Sequence, residues 1–193
     1  MTRFEDERLT SWYKGPCLVE ALDVLRVPKR TFVKPLRITI NDIYSKGSSS
    51  LIGDCILGKI ESGVLNGQKD LVLMPHNEPI AIRGIMKDDD DVQVALAGQI
   101  VEIGIKLEPT FEKSFLKRGN VICCPEYPVP MIISFVSRIV VYDLPHGQLC
   151  KGEQVVLHSY TSKAPARITK LLAIVNQSTG DVIKARPRWL HKG

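Results

Sequence analysis

From Leu36 onward, apolar and polar positions alternate with a period of two. Leu36, Ile38 and Ile40 alternate with Arg37, Thr39 and Asn41, and later Val101, Ile103, Ile105 and Leu107 alternate with Glu102, Gly104 and Lys106. Successive side chains of a strand point to opposite faces, so the pattern predicts half-buried strands. Turn-forming clusters interrupt it at short intervals: 46–50, Asn66-Gly67, His76-Asn77-Glu78-Pro79, the aspartates 88–91, Ala97-Gly98 and Arg118-Gly119-Asn120. Many short strands with frequent turns imply closed barrels or sandwiches. A second series follows the proline-rich stretch 125–130, with strands predicted over 131–142, 154–158, 167–175 and 181–185. That stretch marks the expected domain boundary, because few contacts cross such a linker. Helical spacing occurs once, in 16–25, where Leu18, Leu22 and Leu25 fall at i, i+4 and i+7, Pro16 suits the first turn and Pro28 ends the pattern. The expected class is therefore mainly β: two antiparallel β-barrels preceded by one short helix.

Composition sharpens this picture by exclusion. With 193 residues, 44% of them hydrophobic, the chain is long enough to bury a core, which argues against disorder. No apolar run approaches the ~20 residues of a spanning helix, and the charged opening is unlike a signal peptide, so a cytoplasmic protein without membrane contact is expected. Five cysteines without a CxxC pair suit reduced, packed thiols, and Cys123-Cys124 are expected as small buried residues at a strand end. The net charge of +5 is uneven: residues 151–193 hold eight basic and two acidic side chains, an asymmetry that suits RNA, an acidic partner or a solvated face equally.

Three apparent chemical motifs fail on inspection. Gly53-Asp54-Cys55-Ile56-Leu57-Gly58-Lys59 matches the first seven positions of a phosphate-binding loop, but Ile60 stands where Ser or Thr must hold magnesium. The apolar pattern also continues as a strand, whereas that loop must enter a helix. His76, His146, His158 and His191 lack zinc-ligand spacing, and the 88–91 aspartates cannot all face one ion. No catalytic, cofactor or metal site is expected in these residues.

Binding candidates remain. Lys59 and Glu61 lie two apart in one predicted strand and share a face, which would meet a partner or ribosomal RNA, or else carry a compensating charge pair. Arg118 could contact a phosphate or cap a turn. Lys184, Arg186 and Arg188 alternate, and in an extended segment all three would share one face suited to phosphate or an acidic protein. Trp189 beside them is read as an apolar plug rather than an interface aromatic.

Three groups of segments together resemble the elongation factor Tu and elongation factor one-alpha family of translational GTPases. Residues 12–23, from Trp12-Tyr13-Lys14-Gly15-Pro16, are similar to the last helix of its GTPase domain. Lys34-Pro35-Leu36-Arg37, Asp42-Ile43-Tyr44, 58–65 and Arg118-Gly119-Asn120-Val121 resemble its second domain. Phe135 to Tyr142, Val156-Leu157-His158, Ser178-Thr179-Gly180 and 186–190 resemble its third. Within the family, 155–158, 175–180 and 186–188 look more like the factors that handle termination or stalling than like the tRNA-delivering factor, and between those two 12–15 and 190–193 are most similar to the ribosome-rescue GTPase that partners Pelota.

The resemblance implies three parts: the end of a GTPase domain and a linker in 1–30, a second-domain barrel in 31–126, and part of a third-domain barrel in 127–193, its closing strands lying beyond Gly193. It implies a non-catalytic portion of a GTPase, with GTP and magnesium held in a domain outside these residues. It further implies contact with small-subunit ribosomal RNA and with a Pelota-like or release-factor-like protein, and self-association only through exposed barrel edges. Delivery of a class-one release factor or of aminoacyl-tRNA is the alternative within the family, and an independent RNA-binding barrel is the alternative outside it.

Overall fold

The computed structural model describes residues 12–13, 15–47, 51, 53–67, 70–107, 111–144 and 147–191. The chain divides into two compact units, Met1–Arg30 and Thr31–Gly193.

In the first unit the helix is α1 (Leu18–Asp23), shorter than its apolar spacing predicts. Cys17, in extended conformation, is the residue that caps it, and its backbone N–H donates to Glu20 Oε2 at 3.0 Å, one half of a capping box. Pro16 thus precedes the cap instead of occupying the first turn. The helix closes when Val24 and Leu25 N–H groups reach back to the Glu20 and Leu22 carbonyls. Leu18, Leu22 and Leu25 all remain more than half exposed, so the stripe that predicted the helix is not buried within its own unit. A helix this short draws its stability from packing its apolar face.

The second unit opens with a barrel. Its strands are β1 (Arg37–Lys46), β2 (Gly53–Ser62), β3 (Val64–Asn66), β4 (Leu71–Met74), β5 (Glu78–Lys87), β6 (Asp90–Val92), β7 (Val94–Leu96), β8 (Ile100–Lys106) and β9 (Val121–Cys123). Neighbours run in the order β4, β9, β1, β2, β8, β5, and β5 pairs back to β4, so six antiparallel strands close on themselves and leave no free edge. β6 extends β5 through a two-residue turn at Asp88 and Asp89, both with positive φ; the aspartate run is thus a hairpin tip. β3 and β7 form a separate ribbon. The interior is filled by the predicted alternation: Ile38, Ile40, Ile56, Ile60, Val101, Ile103 and Ile105 are buried, joined by Leu65, Leu71, Leu73 and Ile122. β2 is a continuous strand, so the phosphate-loop match has no loop to form. Cys123 is buried in β9 and Cys124 packs half-buried against the core, the role expected of both.

Residues 127–191 are built differently. Three two-stranded ribbons join β10 (Leu149–Cys150) to β15 (Trp189–Leu190), β11 (Gln154–Ser159) to β12 (Ser162–Arg167), and β13 (Ala173–Val175) to β14 (Val182–Ala185). The strand expected over 131–142 does not form. Among the described residues no neighbouring strand supplies a ladder there, and Ile133, Phe135, Val136, Ile139 and Val140 stay exposed. The strand expected over 167–175 is likewise split: β12 ends at Arg167, Ile168 extends its pairing by bonds to Glu153 and Gly152, and β13 begins only at Ala173. Native-state hydrogen exchange is expected to protect the paired amides of β1 and β2 by orders of magnitude, while those of 131–142 exchange near intrinsic rates. Equal protection of the two regions would show that 131–142 pairs in solution.

One hairpin is tied to the barrel. At the β11–β12 turn, Thr161 donates its hydroxyl to the Ile40 carbonyl at 2.7 Å, the same oxygen that accepts the Gly119 N–H at 2.9 Å. Gly119, at φ +86°, lies so close that a Cβ there would meet Ser162 Cβ at 2.4 Å and Cα at 2.7 Å.

Candidate nucleic-acid and partner interface

Lys59 and Glu61 do share the outer face of β2. The Lys59 ammonium lies 3.0 Å from Glu61 Oε1 and donates to Oε2 at 3.2 Å. Gly58 and Ile60 point the other way, into the barrel, which is why the two charges must face out together. Arg118 is also paired: from the turn before β9 its Nε and Nη2 donate to Oδ1 of Asp42 in β1 at 3.0 and 2.7 Å. Asp42 accepts the Ile43 N–H as well, and that bond, followed by Arg118, holds its carboxyl below the usual range.

The alternation of Lys184, Arg186 and Arg188 does not carry through the structure. β14 ends at Ala185, Arg186 takes a left-handed φ of +45° with its N–H on the Leu172 carbonyl, and Pro187 is buried. The backbone therefore turns between Lys184 and Arg188, and the extended segment that would align three cations is absent. Trp189 is no plug either: it is 43% exposed in β15 and donates Nε1–H to His191 Nε2 at 2.6 Å. The two-residue ribbon it sits in offers no interior to fill.

A basic cleft elsewhere escaped the sequence reading. Gly53, Asp54, Arg83, Ile105, Lys106, Leu107, Phe111 and Lys113 line an open cleft of about 380 Å³ at one end of the barrel. It is made by a β-bulge: Ile82 pairs with Ile105 and Gly84 with Gly104, which leaves Arg83 as the extra residue. The bulge was legible in outline, since the inward series Ile80, Ile82 resumes one position late at Ile85. The Arg83 guanidinium then lies over Gly53, where a Cβ would meet Nη2 at 2.8 Å, and donates at 3.4 Å to the Asp54 carbonyl. Gly53 has φ +104°, so glycine is required there twice over. Lys113 pairs with the Asp54 carboxylate at 2.8 Å, and Ser45 donates to the same carboxylate. What drew attention to Gly53-Asp54 in the sequence was a false phosphate loop, while the side chains beside it come from three distant segments.

Next to the cleft, the Lys46 ammonium pairs with Glu102, beside the buried phenol of Tyr44. Burial, then the Glu102 carboxylate, pushes that phenol far above its ordinary range. Lys46 holds the Glu102 carboxyl below its ordinary 4.5, and Lys113 holds Asp54 below its ordinary 3.8. Both carboxyls bind fewer protons folded than unfolded, so their stabilisation is complete above the ordinary values and is lost as pH falls through the depressed ones. The urea midpoint is expected to drop between about pH 5 and pH 3. Glu102→Gln should flatten that slope, and an unchanged acid profile in the variant would rule out this carboxyl as a contributor.

Among the described residues no group of acidic, histidine or cysteine side chains is placed to hold a metal, and no helix is long and apolar enough to cross a membrane.

A closed six-stranded barrel that seats a following hairpin is an architecture consistent with the β-barrel domains of translation factors. Residues 134–193 match the family model described as GTP-eEF1A C-terminal domain-like. The chain is 30% identical over 186 residues to Protein HBS1 of Drosophila melanogaster, covering 96% of this chain and 27% of that protein. It is 35% identical over 182 residues to Elongation factor 1-alpha of Desulfurococcus mucosus, covering 94% and 40%. Among solved structures, Sup35 complexed with GDP superposes with a TM-score of 0.75 at 25% identity, over 97% of this chain and 44% of Sup35. The fold alone is shared with apo elongation factor SelB from Methanococcus maripaludis, at a TM-score of 0.70 and 16% identity. Over nearly its whole length the chain is thus similar to translational GTPases. It spans between about a quarter and two fifths of the length of the curated relatives quoted.

Proposed function

We propose that this chain is the barrel portion of a cytoplasmic GTPase that carries a Pelota-like decoding factor to stalled ribosomes. On this reading the chain is non-catalytic, and GTP and magnesium are bound by a domain outside it. The observation that carries the proposal is the likeness to HBS1 across 96% of the chain, joined to the rescue-factor resemblance of residues 12–15 and 190–193. Similar identity to elongation factor 1-alpha supports a second reading, delivery of aminoacyl-tRNA. The barrel would lean on small-subunit RNA, with Lys59, Glu61 and Arg118 on its outer face, while Lys184, Arg186 and Arg188 would lie toward the protein partner.

The test is a pull-down from cell extract with the full-length parent protein locked by a non-hydrolysable GTP analogue. Recovery of Pelota is expected. Recovery of a class-one release factor or of aminoacyl-tRNA would move the function within the family, and capture of none of these, nor of ribosomes, would sink the reading. The independent RNA-binding barrel has lost its main support, because the turn at Arg186 removes the shared cationic face.

A further inference from the structure

We propose that Thr31 is a phosphoacceptor for a basophilic serine/threonine kinase, placed where the chain passes from its first unit to its second. The stretch 24–41 carries five basic side chains, Arg26, Lys29, Arg30, Lys34 and Arg37, and no acidic one. A kinase whose substrate groove is lined with carboxylates reads such flanking cations through charge-assisted hydrogen bonds. The cations are available for it: among the described residues none of Arg26, Lys29, Arg30 and Lys34 enters an ion pair. Residues 24–35 are exposed throughout, the Thr31 side chain with them. A kinase also takes its substrate as an extended segment, and the backbone here can supply one. Pro28 bars a helix across the segment and favours an extended Val27. Among the described residues, the backbone hydrogen bond made by 26–34 is the one from the Gly63 N–H to the Thr31 carbonyl, at 2.9 Å, so a single bond opens when the segment is drawn out. Beyond it, Ser62 donates its hydroxyl to the Pro35 carbonyl at 2.7 Å, which keeps the entry to the barrel anchored. By contrast, the hydroxyls of Ser45 beside Lys46 and of Thr161 near Lys163 are committed to the Asp54 carboxylate and the Ile40 carbonyl. In the transfer, Thr31 Oγ1 bonds the γ-phosphorus of ATP, the bond from that phosphorus to the β–γ bridging oxygen breaks, ADP leaves, and the hydroxyl proton passes to the kinase's carboxylate base. The product sets a charge of about −1.5 to −2 among the flanking cations, where Arg30 and Lys34 can pair with it and stiffen the segment that joins the two units.

The test incubates the chain with magnesium ATP and the constitutively active catalytic domain of protein kinase C, while a basic control peptide in a parallel tube reports that the kinase works. Intact mass is expected to rise by one phosphoryl group, and fragmentation to place it on Thr31. Thr31→Ser should keep the reaction and Thr31→Ala should abolish that phosphate. Arg26→Ala/Arg30→Ala should lower kcat/KM for the chain by about 10- to 100-fold, the loss of charge-assisted contacts to the kinase. All three positions are exposed, so the thermal midpoint of each variant should match the wild type, which separates lost recognition from unfolding. In the phosphorylated chain the amides of 29–34 should exchange about 5- to 10-fold more slowly than in the unmodified one. A wild-type chain left unmodified beside a phosphorylated control peptide, a phosphate that maps to another residue, or equal incorporation by Thr31→Ala overturns the assignment of Thr31. Equal exchange over 29–34 in the two forms overturns the stiffening.

Discussion

Replacing Gly63 with alanine is expected to cost about 3 kcal/mol of unfolding free energy, a large share of the ~5–15 kcal/mol of a typical domain. Gly63 joins β2 to β3 at φ +79°, where an L side chain costs roughly 1–2 kcal/mol. Its Cβ would also meet Leu36 Cα at 2.7 Å and Leu36 N and Lys34 O at 2.8 Å, all of them backbone atoms that cannot swing aside. The position is tied on both sides, since its N–H donates to the Thr31 carbonyl and its own carbonyl accepts the Ala97 N–H. Gly58 is the internal comparison. A Cβ there meets Ile38 Cγ2 at 2.7 Å, a side-chain methyl and not backbone, without positive φ, so Gly58→Ala should cost only about 1–2 kcal/mol. Urea unfolding of the two variants measures the difference. A Gly58 variant as damaged as the Gly63 variant would show that backbone crowding does not set the order.

The second large effect is expected at Gly119, with a different signature. Gly119→Ala should cost about 2–4 kcal/mol through positive φ and collision with Ser162, and the collision should be relieved by release of the β11–β12 hairpin. Amides of 154–167 are then expected to exchange much faster and trypsin to cut at Lys163 or Arg167, while β2 stays protected. Thr161→Val probes the same contact without touching the barrel backbone: it removes the hydroxyl bond to the Ile40 carbonyl, worth about 1 kcal/mol, and should loosen the hairpin to a smaller degree. Unchanged exchange over 154–167 in both variants would mean that the hairpin is not held by this contact. The link matters for function because it fixes where the residues after 127 stand relative to the barrel.

Much of the barrel could be read from the chain. Period-two alternation placed the buried faces of β1, β2 and β8, because a strand has only two faces and one of them must leave water. The pairing of Lys59 with Glu61 follows from the same arithmetic. Closure of the six strands does not, since it depends on β4 meeting both β5 and β9, pairings between segments distant in sequence.

The errors have physical causes of the same kind. Residues 131–142 have strand composition, but a strand exists only when another supplies hydrogen bonds, and none among the described residues does so there. Lys184, Arg186 and Arg188 alternate in sequence, but a left-handed residue in the middle reverses the logic of alternation. The cleft at Arg83 was hidden for the opposite reason: its members are ordinary polar positions in separate segments, brought together by a one-residue bulge and a barrel that closes. What the amino-acid sequence by itself determined is local and periodic: the strand faces, the turn positions, the absence of a phosphate loop and the family likeness. What only the tertiary structure decided is which charges meet, because side chains far apart in sequence are brought together by barrel closure and bulge register, and neither leaves a period in the chain.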